Sequence, residues 1–162
     1  MASLKLNGMR DAYQAICQLP ASQQSDQHQL IATILDAESQ SRSHQKTSLF
    51  LRLSKLKYAA NINNLLFDPQ RNLEKNIISS LADGAYIHRG HNVLISGATG
   101  CGKSYLASAL GHQACLLGYR TLYYNMHKLN EHIAISKLDG SFLKWINNIQ
   151  KVKLLIIDDF GI

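Results

Sequence analysis

The sequence predicts an α/β fold in which parallel strands alternate with helices. Short apolar runs at residues 92–96, 120–124 and 152–159 are typical of strands, and stretches with helical spacing separate them. Four consecutive apolar residues, Leu154 to Ile157, predict that the last strand is buried on both faces. Strands joined through helices should lie parallel, with right-handed crossovers.

Composition limits the class of protein. The 162 residues, 46% of them hydrophobic, suit one domain with an extension, and the formal charge of +6 permits an anionic partner. No apolar run approaches the roughly 20 residues of a membrane span, and the N-terminus lacks a signal-peptide core. The three cysteines form no Cys-x-x-Cys pair. We therefore expect a cytoplasmic protein with reduced thiols and no membrane association.

The first 66 residues are predicted to form a helical, basic N-terminal region. Apolar residues recur at helical spacing over residues 4–19, and Pro20 closes that segment. After a polar linker at 21–29, a second helical pattern begins at Leu30, fades over 38–48 and resumes at Leu49. The pattern leaves open whether this is one long helix or two.

Basic residues in this region suggest a contact with DNA. No acidic residue occurs from Ser39 to Phe67. Helical spacing would place members of the pairs 42/46 and 52/55 on shared faces. The candidate contacts with the phosphate backbone are Arg42, Lys46, Arg52, Lys55 and Lys57. The alternative is a solvated helix face.

Residues 67–162 are predicted to form a partial nucleotide-binding domain after an irregular stretch at 59–67. Asp68 and Pro69 suit the start of a helix that Gly84 ends. Its expected buried stripe consists of Leu73, Ile77, Ile78 and Leu81. Further along, a helix over 103–117 should end at Gly118. Asn125 and Ser141 are each expected to begin one of two later helices.

A glycine-rich turn follows the first predicted strand, Asn92 to Ser96. Residues 97–104 match the phosphate-binding loop pattern, which is Gly, four residues, then Gly-Lys-Ser/Thr. Glycines let successive N–H groups point into one concavity, and a helix N-terminus favours an anion there. We expect Lys103 to reach the terminal phosphates and the Ser104 hydroxyl to bind Mg²⁺. The predicted nucleotide-binding residues are Gly97, Ala98, Thr99, Gly100, Cys101, Gly102, Lys103 and Ser104.

Two aspartates end the last predicted strand. Ligands of α/β proteins bind beyond the carboxyl ends of parallel strands. Asp158 is therefore expected to hold Mg²⁺ opposite Ser104, and Asp159 to orient or deprotonate the attacking water. Without the loop upstream, an acidic turn after a core strand would be the favoured explanation of the pair.

These segments resemble the IstB-like helper ATPases of bacterial insertion sequences, which are AAA+ proteins similar to the helicase loader DnaC. The resemblance rests on Asn92 to Gly111, the Gly118-Tyr119-Arg120 turn and Leu154 to Gly161, and less specifically on Arg52 to Lys57. It implies a P-loop (AAA+) sheet with helices on both faces, ATP and Mg²⁺ as cofactors, homo-oligomers on DNA and a transposase partner. Asp159 and Lys103 would be the catalytic residues.

Family members continue beyond the position of Ile162. The resemblance therefore implies a fold incomplete at the C-terminus, without the family's sensor strand and arginine finger, and weak or absent hydrolysis. Three alternatives stay open: a DnaC-like helicase loader, a small nucleotide kinase, and a non-enzymatic DNA- or partner-binding remnant.

Overall fold

The computed structural model describes residues 4–20, 26–67 and 73–161. The chain divides into two compact units, one ending at Ser48 and the next beginning at Leu49. Most of the predicted linker and the predicted helix start at Asp68 and Pro69 lie outside the described residues.

Two helices are described in the N-terminal part. Helix α1 covers Asn7–Cys17 and helix α2 covers Gln27–Ser54. The second pattern of the sequence is thus one continuous helix. The helices approach closely at Gly8, where an added Cβ would lie 2.5 Å from the carbonyl oxygen of Ala37 and 2.7 Å from Cβ of Ser41. Glycine is required here because a side chain would meet the backbone of α2.

Helix α2 ends because Lys55 adopts a left-handed backbone conformation, with φ of 54°. An L-residue reaches this region at an energetic cost, and the helical hydrogen-bond pattern cannot continue through it. Lys55 therefore lies outside the helix, and the prediction that Arg52 and Lys55 share a helical face is wrong. Arg42 and Lys46 both lie within α2 at the predicted spacing.

The segment after α2 is mostly irregular, as predicted, with one 3-10 turn at Ile62–Asn64. Helix α3 covers Lys75–Ala82, and the short helix α4 covers Ala85–His88. Gly84 separates them with φ of 73°, which confirms it as a stop. Ile78 is buried, but Ile77 is 53% exposed, so that part of the predicted buried stripe is wrong.

The remaining elements alternate as the sequence predicts. They are α5 (Lys103–Leu116), β1 (Thr121–Asn125), α6 (Met126–Leu138), α7 (Phe142–Ile149) and β2 (Leu154–Asp158). The side chain of Asn125 accepts hydrogen bonds from the N–H groups of His127 and Lys128, which confirms the predicted cap. Strands β1 and β2 pair in parallel, with Thr121 opposite Leu154 and Asn125 opposite Asp158.

Helix α5 packs against both strands, and small residues make this possible. Ala109, Ala114 and Cys115 are almost completely buried. At Gly111 an added Cβ would lie 2.7 Å from side-chain atoms of both Ile156 and Leu56. Because α5 carries little bulk on this side, the strands approach its axis and their carboxyl ends reach its N-terminus.

The first predicted strand, Asn92 to Ser96, is not a strand in this structure. A strand exists only through hydrogen bonds to a neighbour, and in residues 4–20, 26–67 and 73–161 the only paired strands are β1 and β2. Val93 and Leu94 are accordingly exposed, Leu94 by 86%. Leu155 of β2 is also 39% exposed, so the expectation of burial on both faces is not met along that strand.

Within the described ranges, no helix combines the length and apolar character needed to cross a membrane. Cys17, Cys101 and Cys115 are all free thiols.

Candidate phosphate-binding site

The glycine-rich loop leads directly into α5. Gly97, Gly100 and Gly102 have φ values of 154°, 78° and 93°, which other L-residues rarely adopt. A Cβ on Gly100 or Gly102 would meet nothing within 4 Å, so backbone conformation rather than space requires glycine there. The loop therefore delivers the chain to Lys103, the first residue of α5, with the helix N-terminus directed towards the loop.

The side chain of Lys103 hydrogen-bonds with the backbone of the glycine-rich loop. Its Nζ donates hydrogen bonds of 2.8 Å to the carbonyl oxygens of Gly97 and Ala98. A lysine ammonium has three donors, so one remains for another acceptor. The contacts hold the ammonium close to the concave side of the loop, where an anion would be bound.

The carboxyl end of β2 lies beside the first turn of α5. Asp158 is the last residue of β2, and its carboxylate accepts a hydrogen bond from the hydroxyl of Ser104 in the first turn of α5. The structure therefore brings together the two residues predicted to hold Mg²⁺, which are 54 positions apart, from 104 to 158.

Asp158 accepts two further hydrogen bonds. The hydroxyl of Tyr123 donates to Oδ2, and Nζ of Lys57 donates to the same oxygen over 3.3 Å. Burial by itself would raise the pKa of Asp158, but the bonds from Tyr123, Ser104 and Lys57 outweigh it and hold that pKa below its ordinary value. The carboxylate is thus kept ionised. Burial and the contact with Asp158 raise the pKa of Tyr123, so its phenol stays protonated.

Asp159 is held differently. It has a left-handed backbone conformation with φ of 56°, which aspartate tolerates better than most residues. Its Oδ2 accepts a hydrogen bond of 2.6 Å from Nδ2 of Asn125, and the residue is exposed. The two adjacent carboxylates therefore have separate partners: the Asp158 side chain is largely buried beside the first turn of α5, and Asp159 lies at the surface.

The oxygen atoms at this edge suit a magnesium ion. Mg²⁺ prefers oxygen ligands and is usually bound through one or two carboxylates together with substrate phosphates. The Ser104 hydroxyl interacts with the Asp158 carboxylate and helps to lower its pKa. One ion could therefore reach both, and the residues present fit the group.

A family model described as "IstB-like ATP binding protein" matches residues 1–162. The chain belongs to this family. Among curated relatives, "Insertion sequence IS1162 putative ATP-binding protein" of Pseudomonas fluorescens is 38% identical over 98% of the chain and 69% of its own length. "Putative insertion sequence ATP-binding protein y4uH" of Sinorhizobium fredii is 32% identical over the whole chain and 65% of its own length.

More distant relatives also align along nearly the whole chain. "Insertion sequence IS21 putative ATP-binding protein" of Pseudomonas aeruginosa is 22% identical over 99% of the chain and 61% of its own length. The chain thus spans about two thirds of the length of the relatives it matches.

Three residues of the site were missed by sequence reasoning: Lys57, Tyr123 and Asn125. A signal existed for Asn125, because a polar residue ending a parallel strand next to the acidic strand must lie beside the acidic pair. Tyr123 is two residues earlier on the same strand. Nothing in the sequence pointed from Lys57 to Asp158.

The predicted DNA-contact residues have different surroundings. Arg42 pairs through Nε with Oε1 of Glu38 at 2.8 Å, and Lys57 pairs with Asp158. Arg52 and Lys55 are exposed, and Lys46 lies in α2. Two of the five cations are therefore already partly neutralised by carboxylates.

Proposed function

We propose that this chain is an ATP-binding helper protein of DNA transposition that binds ATP together with Mg²⁺ at Gly97–Ser104. Family membership and the insertion-sequence names of its relatives support the biological context. The observation that carries the site is that Ser104, in the first turn of α5, interacts with Asp158, at the end of β2. Together with the loop it offers an anion site and a cation site side by side.

In this proposal the backbone of residues 97–104 receives the phosphates. The N–H groups of the first turn of α5 favour negative charge, and Lys103 adds a full positive charge. Ser104 and Asp158 would hold the magnesium ion, whose chemistry is to neutralise charge on the terminal phosphates. Thr99 and Cys101 would contribute backbone N–H groups rather than their side chains.

Asp159 is proposed to orient the attacking water, with Asn125 positioning its carboxylate. We expect hydrolysis by this chain alone to be slow. An arginine directed at the transition state is worth about 10³- to 10⁵-fold in well-studied nucleotide hydrolases. Arg120 cannot act this way, because its carbonyl accepts hydrogen bonds from Lys153 and Leu154 at the opposite end of the two strands.

Nucleotide binding is tested by thermal or urea unfolding with and without Mg–ATP. At a hundredfold excess over the dissociation constant, ATP should stabilise the protein by about 2.7 kcal/mol. Lys103→Ala should remove most of that gain. Lys151→Ala, an exposed lysine that precedes β2, is the matched control and should keep it. Equal stabilisation of both variants would place the nucleotide elsewhere.

The role of Asp159 is tested by Asp159→Asn, which keeps the shape and the neighbouring Asn125 but removes the charge. ATP affinity should change little, while phosphate release should fall below the wild-type rate. Wild-type turnover in this variant would refute the water-orienting role, and lost affinity would move Asp159 into the binding site.

We also propose that residues 1–66 act as the DNA-binding, helical region and residues 67–162 as the ATP-binding region. Of the five candidate cations, Arg52 and Lys55 are exposed, and among residues 4–20, 26–67 and 73–161 no carboxylate forms an ion pair with either of them. Each phosphate neutralised contributes roughly −0.9 to the slope of log affinity against log salt. Arg52→Ala with Lys55→Ala should therefore flatten the slope by about two such contributions.

Arg42→Ala should change that slope less, because Glu38 already offsets its charge. An unchanged slope in the Arg52 and Lys55 variant would identify these lysine and arginine side chains as a solvated surface.

A transposase and further copies of the chain are the proposed partners. The support is contextual: relatives are named for insertion sequences. Co-purification with an insertion-sequence transposase, and sedimentation with and without Mg–ATP, test the two partners separately. The absence of both complexes would leave only the nucleotide-binding part of the proposal.

A further inference from the structure

The Ser54–Tyr58 segment, which begins at the last residue of α2, lies along α5, the helix that follows the proposed phosphate-binding loop. Three of its side chains contact α5. Ser54 hydrogen-bonds with the Cys115 thiol, a Leu56 methyl approaches Gly111, and the ring centroid of Tyr58 lies 6.1 Å from that of Tyr105. The segment is thus anchored to the same helix that begins at the phosphate-binding loop.

The fourth anchor is charged. Lys57 of this segment reaches past α5 to Oδ2 of Asp158 at 3.3 Å, and its side chain is 42% exposed while that of Asp158 is 10% exposed. Tyr123 donates to the same oxygen. Asp158 therefore has one neutral donor and one cationic partner, in addition to the Ser104 hydroxyl.

We propose that Lys57 is an internal counter-ion of Asp158 that competes with the divalent cation accompanying ATP. The inference rests on the proposed function, because it concerns the metal position formed by Ser104 and Asp158. Lys57 leaves the carboxylate when the cation is bound, and the Ser54–Tyr58 segment then loses one of its four anchors. Lys57 thereby couples cation binding at the nucleotide site to the Ser54–Tyr58 segment at the end of α2.

The physical basis is that two cations cannot share one carboxylate without repulsion. An ammonium 3.3 Å from Oδ2 lies within a few ångströms of any ion bound by the same carboxylate. Tyr123 carries no charge, so it can stay and hold the carboxylate in place. Because Lys57 is partly exposed, solvent screens the pair, and we expect an effect of about two- to fivefold.

The measurement is the metal dependence of ATP binding, defined as the dissociation constant in EDTA divided by that in Mg²⁺. Calorimetric titration gives both constants for wild type, Lys57→Met, Lys57→Arg and Lys55→Met. Taking the ratio cancels any direct contribution of Lys57 to binding of the phosphates. Lys55→Met removes the same charge two residues away from an exposed side chain and is the matched control.

We expect the ratio to rise about two- to fivefold in Lys57→Met and to stay at the wild-type value in Lys55→Met and Lys57→Arg. Without nucleotide, Mn²⁺ binding followed by electron paramagnetic resonance should be tighter in Lys57→Met than in wild type, Lys55→Met and Lys57→Arg. Hydrogen exchange over residues 55–60 of the wild type should be faster in Mg–ATP than in ATP with EDTA.

An unchanged or lower ratio in Lys57→Met overturns the competition, as does an equal rise in Lys55→Met. Unchanged exchange over residues 55–60 overturns the release of the segment. If wild type binds ATP in neither buffer, the proposed function itself fails, and this inference fails with it.

Discussion

Glu38 and Asp158 each accept several hydrogen bonds, and comparing them contrasts a structural carboxylate with one that we propose binds a cation. Glu38 in α2 accepts hydrogen bonds from the backbone N–H of Met9 and from Arg42. Asp158 accepts them from Tyr123, Ser104 and Lys57. Both have a pKa below the ordinary value, for Glu38 mainly through the Arg42 bond and for Asp158 through three bonds that outweigh burial.

The difference lies in where the donors come from. Glu38 is held by its own helix, four residues away, and by the N-terminus of α1, so its partners are fixed parts of a helix pair. The donors of Asp158 come from a neighbouring strand, a helix start and an irregular segment. Because these donors belong to different elements, one of them can leave the carboxylate while the others stay. This is the property expected of a residue that binds an incoming cation.

Removing the neutral donor of Asp158 should weaken ATP binding, whereas a change at Glu38 should not. Tyr123→Phe keeps the ring but takes the hydroxyl from Asp158, so the carboxylate loses its fixed orientation. Loss of such supporting groups typically costs about 10- to 100-fold in metal affinity or activity. We expect Mg²⁺-supported ATP affinity to fall near the lower end of that range.

The matched variant is Glu38→Gln, which should leave ATP affinity unchanged in either buffer. Calorimetric titration of both proteins checks the pair. If Tyr123→Phe tightens metal binding as Lys57→Met is expected to do, the two donors have equivalent roles and the comparison fails.

Glycine permits close packing in both regions, but with different neighbours. Gly8→Ala would press Cβ against backbone atoms of α2, while Gly111→Ala would meet the ends of the Ile156 and Leu56 side chains. Overpacking costs about 1–3 kcal/mol, and alanine recovers up to about 1 kcal/mol of helix propensity. We therefore expect Gly8→Ala to destabilise its unit by about 1–2 kcal/mol, and Gly111→Ala to cost less because side chains can move.

Urea unfolding followed at each unit separately measures both costs. A larger loss for Gly111→Ala than for Gly8→Ala would show that the Leu56 and Ile156 side chains cannot yield.

Lowering the pH should reveal how much the Glu38 carboxylate contributes to stability. The pKa of Glu38 is lowered in the folded protein from an ordinary value of 4.5. A lowered folded pKa stabilises the protein fully above the unfolded value, and the stabilisation disappears as pH falls through the folded pKa. Stability of the α1–α2 pair should therefore decline below about pH 4.5 in wild type.

Glu38→Gln should remove that part of the acid dependence while lowering stability at neutral pH. Unfolding curves measured from pH 7 to pH 3 test this expectation. If the free energy of unfolding of the variant falls with acid as steeply as that of wild type, other carboxylates cause the pH dependence.

The smallest expected effect concerns Lys55, which ends α2 in a left-handed conformation. Lys55→Gly relieves roughly 1–2 kcal/mol of backbone strain but increases the entropy of the unfolded chain by a comparable amount. We expect a net change within about 0.5 kcal/mol, measured by urea unfolding. A loss well above that would mean that the Lys55 side chain itself contributes to stability.

Local chemistry in the sequence was sufficient for several elements. The loop glycines, the start of α5 at Lys103 and the cap at Asn125 each depend on residues within a few positions, and the structure has all of them. The parallel order of β1 and β2 followed from alternation of strands and helices. These features were predictable because backbone conformation and capping are decided by near neighbours.

Tertiary structure decided the rest. Asn92 to Ser96 has the composition of a strand but no pairing partner among the described residues, and a strand requires one. In the sequence Lys57 is one of several basic residues, yet in the structure it pairs with the carboxylate of Asp158, 101 positions away. Hydrogen-bond partners and ion pairs between distant residues arise only when packing brings them together, so periodicity and composition cannot indicate them. The sequence by itself therefore determined the glycine-rich loop and the helix that follows it, while folding alone determined which side chains surround Asp158.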